Sequence, residues 1–217
     1  MIVDVHTHCK KSKAEFTIIS TTIAEFCSVS QTDPFTIGIH PWHANKNWQK
    51  DLPDLKIIAA MKNCLGIGEC GLDKSRKMDF QLQKEIFQYQ IELAENLNKP
   101  VIIHCVKAFD ELCRIAKKHS FKTPWLIHGF RANIQITEQL LKFKKIYFSF
   151  GEALTFSEKT QNSFKKVPLQ RLMLETDESG INIDSVYEKA AELLHLELKD
   201  LETVIENNTN KFFNLKL

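Results

Sequence analysis

The sequence "IVDVHTH" at residues 2–8 is a short apolar strand that runs into two histidines. Residues two apart on an extended strand face the same side, so the rings of His6 and His8 point toward one place. A lone histidine at a strand end is more often a structural residue than a ligand, whereas this spacing indicates a metal site. The chain therefore begins with a strand whose carboxyl end carries candidate ligands.

Seven further apolar, β-branched stretches follow, with helical or polar sequence between them. The eight predicted strands are residues 2–5, 16–20, 35–39, 65–68, 100–103, 125–127, 146–150 and 172–175. Continuous apolar strands are typical of a parallel sheet buried on both faces. Steps of three and four predict a helix between the fourth and fifth strands, with a stripe of Leu82, Ile86, Tyr89, Leu93 and Leu97. Helices are also predicted near residues 184–195 and 199–213.

Alternation of strand and helix predicts an α/β fold, a TIM (β/α)8-type barrel that forms one domain over residues 1–217. A parallel crossover needs about a dozen residues. Only residues 9–15 separate the first strand and the histidines that end it from the second predicted strand, so the first crossover helix is expected to be missing. The second connection, residues 21–34, has room for a short helix at most.

The composition of the chain argues against a membrane protein and a secreted protein. The 217 residues include 29 Lys and Arg against 27 Asp and Glu, and no apolar run approaches the length of a membrane span, about 20 residues. A strand at residue 2 leaves no room for a signal peptide, so we expect a cytoplasmic protein. The six cysteines form no CxxC pair, which favours reduced structural thiols.

Most of the chemically unusual residues follow predicted strands, including six of the eight histidines. In a barrel these strand ends form the face where active sites are built. Imidazoles and carboxylates together bind divalent cations. The number of candidate ligands at these strand ends is larger than one catalytic metal ion uses, so we predict two ions, Mg²⁺, Mn²⁺ or Zn²⁺. The set comprises His6, His8, His40, His43, Glu69, His104, His128 and Asp177.

Two carboxylates are candidate catalytic residues. Glu69 follows two glycines that allow close backbone approach, and its two oxygens could bridge two ions; a structural salt bridge is the alternative. Asp177 is the candidate general base for a metal-activated water, with a pure ligand role as the alternative.

Several side chains beside the predicted rim are candidate substrate contacts. Cationic groups there would bind phosphates, and an aromatic ring would stack on a terminal base. Each cation could instead be a solvated surface charge, and the tryptophan could be a packing residue. The predicted substrate-binding residues are His40, Trp42, His43, Lys74, Arg76, Lys107 and Arg131.

Six motifs follow one another along the whole chain: D-x-H-x-H at residues 4–8, G-I-H-P at 38–41, G-E-x-G-L-D at 68–73, P-V-I-I-H at 100–104, H-G-F at 128–130 and E-T-D at 175–177. Together they resemble the TatD family of metal-dependent deoxyribonucleases, which are amidohydrolase-like barrels. The resemblance implies a 3′–5′ exodeoxyribonuclease that acts on DNA ends and that binds two ions bridged by Glu69. The implied metal ligands are His6, His8, Glu69, His104, His128 and Asp177.

The sequence departs from the family pattern near the substrate. The loop after the last strand is shortened to "ESGINID" at residues 178–184, Ser179 stands where proline is common, and Val106 stands where an arginine is often found. These departures keep open a metal-dependent amide or ester hydrolase, for example an aminoacyl-tRNA deacylase. A barrel that binds metal only for stability is a third interpretation.

Overall fold

The computed structural model describes residues 1–8, 12–119 and 122–217. Its eight strands lie in one sheet in chain order. They are β1 (Val3–Thr7), β2 (Phe16–Thr21), β3 (Phe35–Ile37), β4 (Cys64–Asp73), β5 (Val101–Val106), β6 (Trp125–Ile127), β7 (Ile146–Phe150) and β8 (Leu172–Leu174). The α-helices are α1 (Leu52–Ala59), α2 (Phe80–Leu97), α3 (Phe109–Lys118), α4 (Ile134–Leu141), α5 (Ala153–Phe156), α6 (Glu158–Phe164), α7 (Ile183–Leu194) and α8 (Leu198–Phe213).

Strand order and alternation are those of the predicted (β/α)8 class. The strands of the pairs β1/β2, β3/β4, β4/β5 and β7/β8 run parallel. A parallel bridge between Thr7 and Asp177 also makes the first strand a neighbour of the segment after the last. The fold class is therefore confirmed. Between β1 and β2, the described residues 12–15 form no helix, and the connection after β2 contains one short 3-10 helix, Phe26–Ser28.

The strands β4 and β5 run further than predicted. The predicted strand 65–68 continues as β4 to Asp73, and β5 continues to Val106, so Glu69 and His104 lie inside strands rather than after them. The ladder continues because Gly71 and Asp73 pair with residues 104 and 106. Glycine at position 71 permits this because its φ of +142° brings its backbone against the next strand.

The described chain divides into two compact units, residues 1–19 with 127–217 and residues 20–126. The prediction of a single domain stays a prediction. In the first unit, α7 and α8 pack on β1 and β8. The Tyr187 hydroxyl donates to the carbonyl of Val3 and accepts from its amide, both at 3.0 Å, and so anchors α7 to β1.

In the second unit, α2 packs on β4. The helix begins after Asp79, whose carboxylate accepts from the amides of residues 81 and 82, and it ends at Asn98 in the left-handed conformation. These are an acidic N-cap and a left-handed C-cap.

The buried face of α2 differs from the predicted stripe. Leu82, Tyr89 and Leu97 are only half-buried, whereas Gln83 and Gln90 are buried. Each glutamine amide bonds the amide and the carbonyl of one backbone residue: Gln83 bonds Asp73 and Gln90 bonds Ile39, at 2.7 to 3.1 Å. Polar residues occupy this face because buried backbone groups at two strand ends need partners.

Replacing Gln90 by methionine is expected to lower the free energy of unfolding by about 2 kcal/mol, because it leaves two buried backbone groups of Ile39 without partners. Urea unfolding measures the effect. Gln81→Met, on the exposed face of the same helix, is the matched control and should change stability by less than about 0.5 kcal/mol. Equal losses in both variants would contradict this role for Gln90.

The cysteines in the described part of the chain are free thiols, and Cys9 lies outside the described residues. Burial raises the pKa of the Cys64 thiol to about 11. A raised pKa disfavours the thiolate, which is the reactive form of cysteine. No helix of the described residues is both long enough and apolar enough to cross a membrane.

Candidate metal centre

The first unit brings His6, His8 and Asp177 together through backbone pairing. The Asp177 amide donates to the His6 carbonyl at 2.9 Å, and the Asp177 carbonyl accepts from the His8 amide at 3.4 Å. Asp177 adopts a left-handed φ of +55°, a conformation that aspartate tolerates better than most residues. The bridge therefore sets one carboxylate beside the imidazole of His6, in β1, and that of His8, one residue after it.

These three side chains form the β1/β8 cluster. Asp177 Oδ1 lies 3.6 Å from His6 Nε2 and 3.7 Å from His8 Nε2. Two ligands of one ion, each bound at about 2.0–2.2 Å, are separated by roughly 3.4 Å in tetrahedral geometry. The donor types and their spacing therefore fit one divalent cation.

A buried carboxylate supports His128 in the same unit. Glu175 Oε1 accepts from the Gly129 amide at 2.7 Å and lies 3.5 Å from His128 Nδ1, while Ser149 Oγ donates to Glu175 Oε2. The His128 ring stacks on the His6 ring with centroids 4.1 Å apart. Together with Asp177, His128 and Glu175 form a further set of candidate ligands.

Asp4 fixes the chain just before Asp177. Its carboxylate accepts from the amide and hydroxyl of Thr176 at 3.1 and 2.7 Å, and from Ser12 Oγ at 2.8 Å. Burial raises the pKa of Asp4 to about 6, although these hydrogen bonds work in the opposite direction. Asp4 thus holds the backbone from which Asp177 projects.

The second unit contains the β4/β5 cluster, formed by His40, Glu69 and His104. Glu69 is 7% exposed, and its Oε1 lies 3.1 Å from His40 Nε2 and 2.7 Å from His104 Nδ1. The Trp42 amide donates to His40 Nδ1 at 3.2 Å, which leaves the hydrogen of a neutral His40 ring on Nε2. His40 is therefore a hydrogen-bond donor to Glu69.

Behind His104 lies Asp73, a buried carboxylate surrounded by donors. Asp73 Oδ2 accepts from Trp42 Nε1 at 2.6 Å and from His104 Nε2 at 3.1 Å, and Oδ1 accepts from the amide and hydroxyl of Ser75 at 2.7 and 2.6 Å. Burial works to raise the pKa of Asp73, but the bonds from Ser75, Trp42 and His104 outweigh it and hold the pKa at about 2.

The predicted substrate-binding residues differ in their exposure and in their partners. Trp42 is 39% exposed, and the Arg76 guanidinium lies 4.2 Å above its ring. His43 is exposed, with its ring 5.9 Å from that of His40. Lys74 pairs with Asp110 at 3.0 Å, whereas Lys107 and Arg131 are exposed side chains after β5 and β6.

Asp73 and Glu175 are functional candidates that the sequence-based prediction does not include. Both stand in motifs of the family pattern, and Asp73 has the even spacing from Glu69 that puts two residues on one face of a strand. That spacing was a usable signal. The residues around Glu175 and Asp177 in the sequence do not indicate which of the two carboxylates contacts His128 from the buried side.

Comparison with known proteins identifies the family of this chain. The family described as TatD related DNase matches residues 4–214. The uncharacterized metal-dependent hydrolase YabD of Bacillus subtilis is 29% identical over 199 residues, covering 82% of this chain and 76% of the relative. The 3′-5′ ssDNA/RNA exonuclease TatD of Pantoea ananatis is 33% identical over 150 residues, covering 65% of this chain and 56% of the relative.

The fold has solved counterparts as well. A TatD homologue from Escherichia coli matches with a TM-score of 0.87 at 22% identity, covering 99% of this chain and 98% of that chain. This chain has clusters of imidazoles and carboxylates on a (β/α)8 fold, and its relatives are named as metal-dependent hydrolases. These findings define the class of protein as a metal-dependent hydrolase. The chain belongs to the TatD related DNase family. The predicted family and class of enzyme are thereby confirmed.

Proposed function

We propose that this protein is a phosphodiesterase that shortens single-stranded DNA from its 3′ end with two divalent cations. The β1/β8 and β4/β5 clusters carry the proposal, because each brings histidine nitrogen and carboxylate oxygen within 4.8 Å of one another, and these are the donor types that bind divalent cations. Family membership and the name of the Pantoea ananatis relative support nucleic acid as the substrate class.

The proposed ligands are those that the sequence predicts: His6, His8, Glu69, His104, His128 and Asp177. Divalent cations held there would supply Lewis-acid chemistry, which acidifies water and stabilises the charge on a reacting phosphate. Mixed imidazole and carboxylate donors favour Mn²⁺ or Zn²⁺ over Mg²⁺. Glu69 as a bridge between two ions stays part of the proposal.

Asp177 is the proposed proton acceptor. Its side chain is 32% exposed, so water can reach the carboxylate, and its Oδ1 faces the two imidazoles of β1. Accepting a proton on the carboxylate oxygen that does not bind the cation would leave the attacking oxygen with the charge it needs to attack phosphorus. His6 and His8 would hold that carboxylate in place.

Trp42 and Arg76 form the proposed contact for the end of the strand. An exposed indole gives a terminal base a surface for stacking, and the guanidinium above it can bind a flanking phosphate. Lys107 and Arg131 are proposed to add phosphate contacts, as exposed cations.

The activity test uses metal-stripped protein reloaded separately with Mg²⁺, Mn²⁺ or Zn²⁺ and single-stranded DNA labelled at its 5′ end. We expect stepwise shortening of the labelled strand that chelation abolishes. Bis-nitrophenyl phosphate and a nitrophenyl ester are tested in parallel. Cleavage of the ester alone, with no shortening by any metal, would replace the nuclease with the ester or amide hydrolase.

Asp177→Asn is expected to lower the rate of DNA shortening on the order of 10²-fold, because the amide cannot accept the proton. Initial rates at saturating DNA measure the effect. The matched control is Asp200→Asn, an exposed aspartate in the first turn of α8, which should keep the wild-type rate. An unchanged rate in Asp177→Asn would remove Asp177 from the chemical step.

A further inference from the structure

The strongest unassigned feature is the way in which Asp73 joins two parts of the second unit. One oxygen, Oδ2, accepts both the indole hydrogen of Trp42 and the Nε2 hydrogen of His104. Resting on the proposed function, we propose that Asp73 is a positioning residue that sets the metal-binding nitrogen of His104 and the stacking surface of Trp42 together.

Asp73 itself has no freedom to move. Its amide donates to Gln83 Oε1 and its carbonyl accepts from Gln83 Nε2, while Ser75 occupies Oδ1 through two hydrogen bonds. All groups that bond the carboxylate are donors, so Oδ2 acts only as an acceptor. Because hydrogen bonds hold both its backbone and its carboxylate, Asp73 can position the rings of Trp42 and His104.

The consequence for His104 is a fixed tautomer. Both ring nitrogens face carboxylates, Nε2 that of Asp73 at 3.1 Å and Nδ1 that of Glu69 at 2.7 Å. When a cation binds beside Glu69, Nδ1 must offer its lone pair to that cation, so the hydrogen of the neutral ring is then on Nε2 and is donated to Asp73. A carboxylate behind a histidine orients the ring and raises its basicity as a ligand. A cation bound beside Glu69 would therefore meet Nδ1 of His104.

The consequence for Trp42 is a fixed ring plane. Trp42 is exposed and follows β3 in a short 3-10 helix, Pro41–His43, so packing alone does not hold its indole. The 2.6 Å bond to Asp73 holds one edge, and the Arg76 guanidinium covers one face. The substrate surface and the metal ligand thus depend on the same carboxylate oxygen.

Asp73→Asn tests both consequences. When the amide oxygen takes the bonds from Ser75, its NH₂ group faces the hydrogens of Trp42 and His104, so His104 must move its hydrogen to Nδ1. We expect the Kd for Mn²⁺, measured by calorimetry on metal-stripped protein, to rise about 10- to 100-fold. The KM for single-stranded DNA should rise as well.

Two further variants separate the effects. Trp42→Phe keeps a ring but lacks the N–H, so it should raise the KM for DNA and leave the Kd for Mn²⁺ unchanged. Asp79→Asn is the matched control, because asparagine also caps a helix and Asp79 is exposed at the start of α2. It should leave both quantities unchanged.

Nitrogen NMR of ¹⁵N-histidine-labelled, Zn²⁺-loaded wild-type protein tests the tautomer without any substitution. We expect the His104 hydrogen on Nε2. A hydrogen on Nδ1, or an Asp73→Asn variant that binds Mn²⁺ like the wild type, would overturn the role of Asp73 and leave the proposed nuclease intact. A wild-type protein that binds none of these cations would overturn both.

Discussion

Glu69→Gln is expected to raise the Kd for Mn²⁺ on the order of 10³-fold and to abolish measurable DNA shortening. Glu69 is 7% exposed, and its Oε1 faces nitrogens of both His40 and His104. Glutamine keeps the shape of the side chain but removes the negative charge that would bind the cation and that faces the two imidazoles. Losing one member of a buried charged group costs roughly 3–5 kcal/mol. At 1.4 kcal/mol per decade, a loss near 4 kcal/mol corresponds to about a 10³-fold change.

The control for this variant is Glu85→Gln, an exposed glutamate on α2 that should bind Mn²⁺ and cut DNA like the wild type. Glu69→Asp retains the charge on a shorter side chain and should recover part of the affinity. Calorimetry and initial rates report on each variant. Wild-type affinity in Glu69→Gln would exclude Glu69 from cation binding and would also end its proposed role as a bridge.

Gly71→Ala is expected to lower the free energy of unfolding by about 4 kcal/mol, the sum of strain and overpacking. A Cβ at position 71 would overlap the carbonyl oxygen of His104 on the neighbouring strand. The φ of +142° is also one that side chains rarely adopt. Alanine must therefore push β4 away from β5, between Glu69 and Asp73.

Gly180→Ala is the matched control, since Gly180 also has a positive φ, +69°, but a Cβ at position 180 would meet no atom of the described chain within 4 Å. It should cost about 1–2 kcal/mol, the backbone part alone. Urea unfolding compares the two variants. Equal losses would mean that backbone conformation, and not the contact with His104, sets the requirement for glycine at position 71.

Local sequence predicts most of the fold because apolar strands and helix periods are local features. The predicted strands 125–127 and 146–150 agree with β6 and β7 to the residue, and the helices predicted at 184–195 and 199–213 agree with α7 and α8 within one residue at each end. The ends of β4 and β5 were missed because pairing between Asp73 and Val106 extends both strands past their apolar cores.

The class of fold, the family, and the histidines and carboxylates that are candidate ligands follow from the amino-acid sequence alone, because strand alternation and motif spacing are patterns of neighbouring residues. Which of these side chains contact one another is seen only in the folded chain. The left-handed turn at Asp177 meets β1 across about 170 residues of chain, and Asp73 joins Trp42 to His104 across three chain segments. Such contacts depend on strand register and buried hydrogen bonds, and no local pattern encodes them.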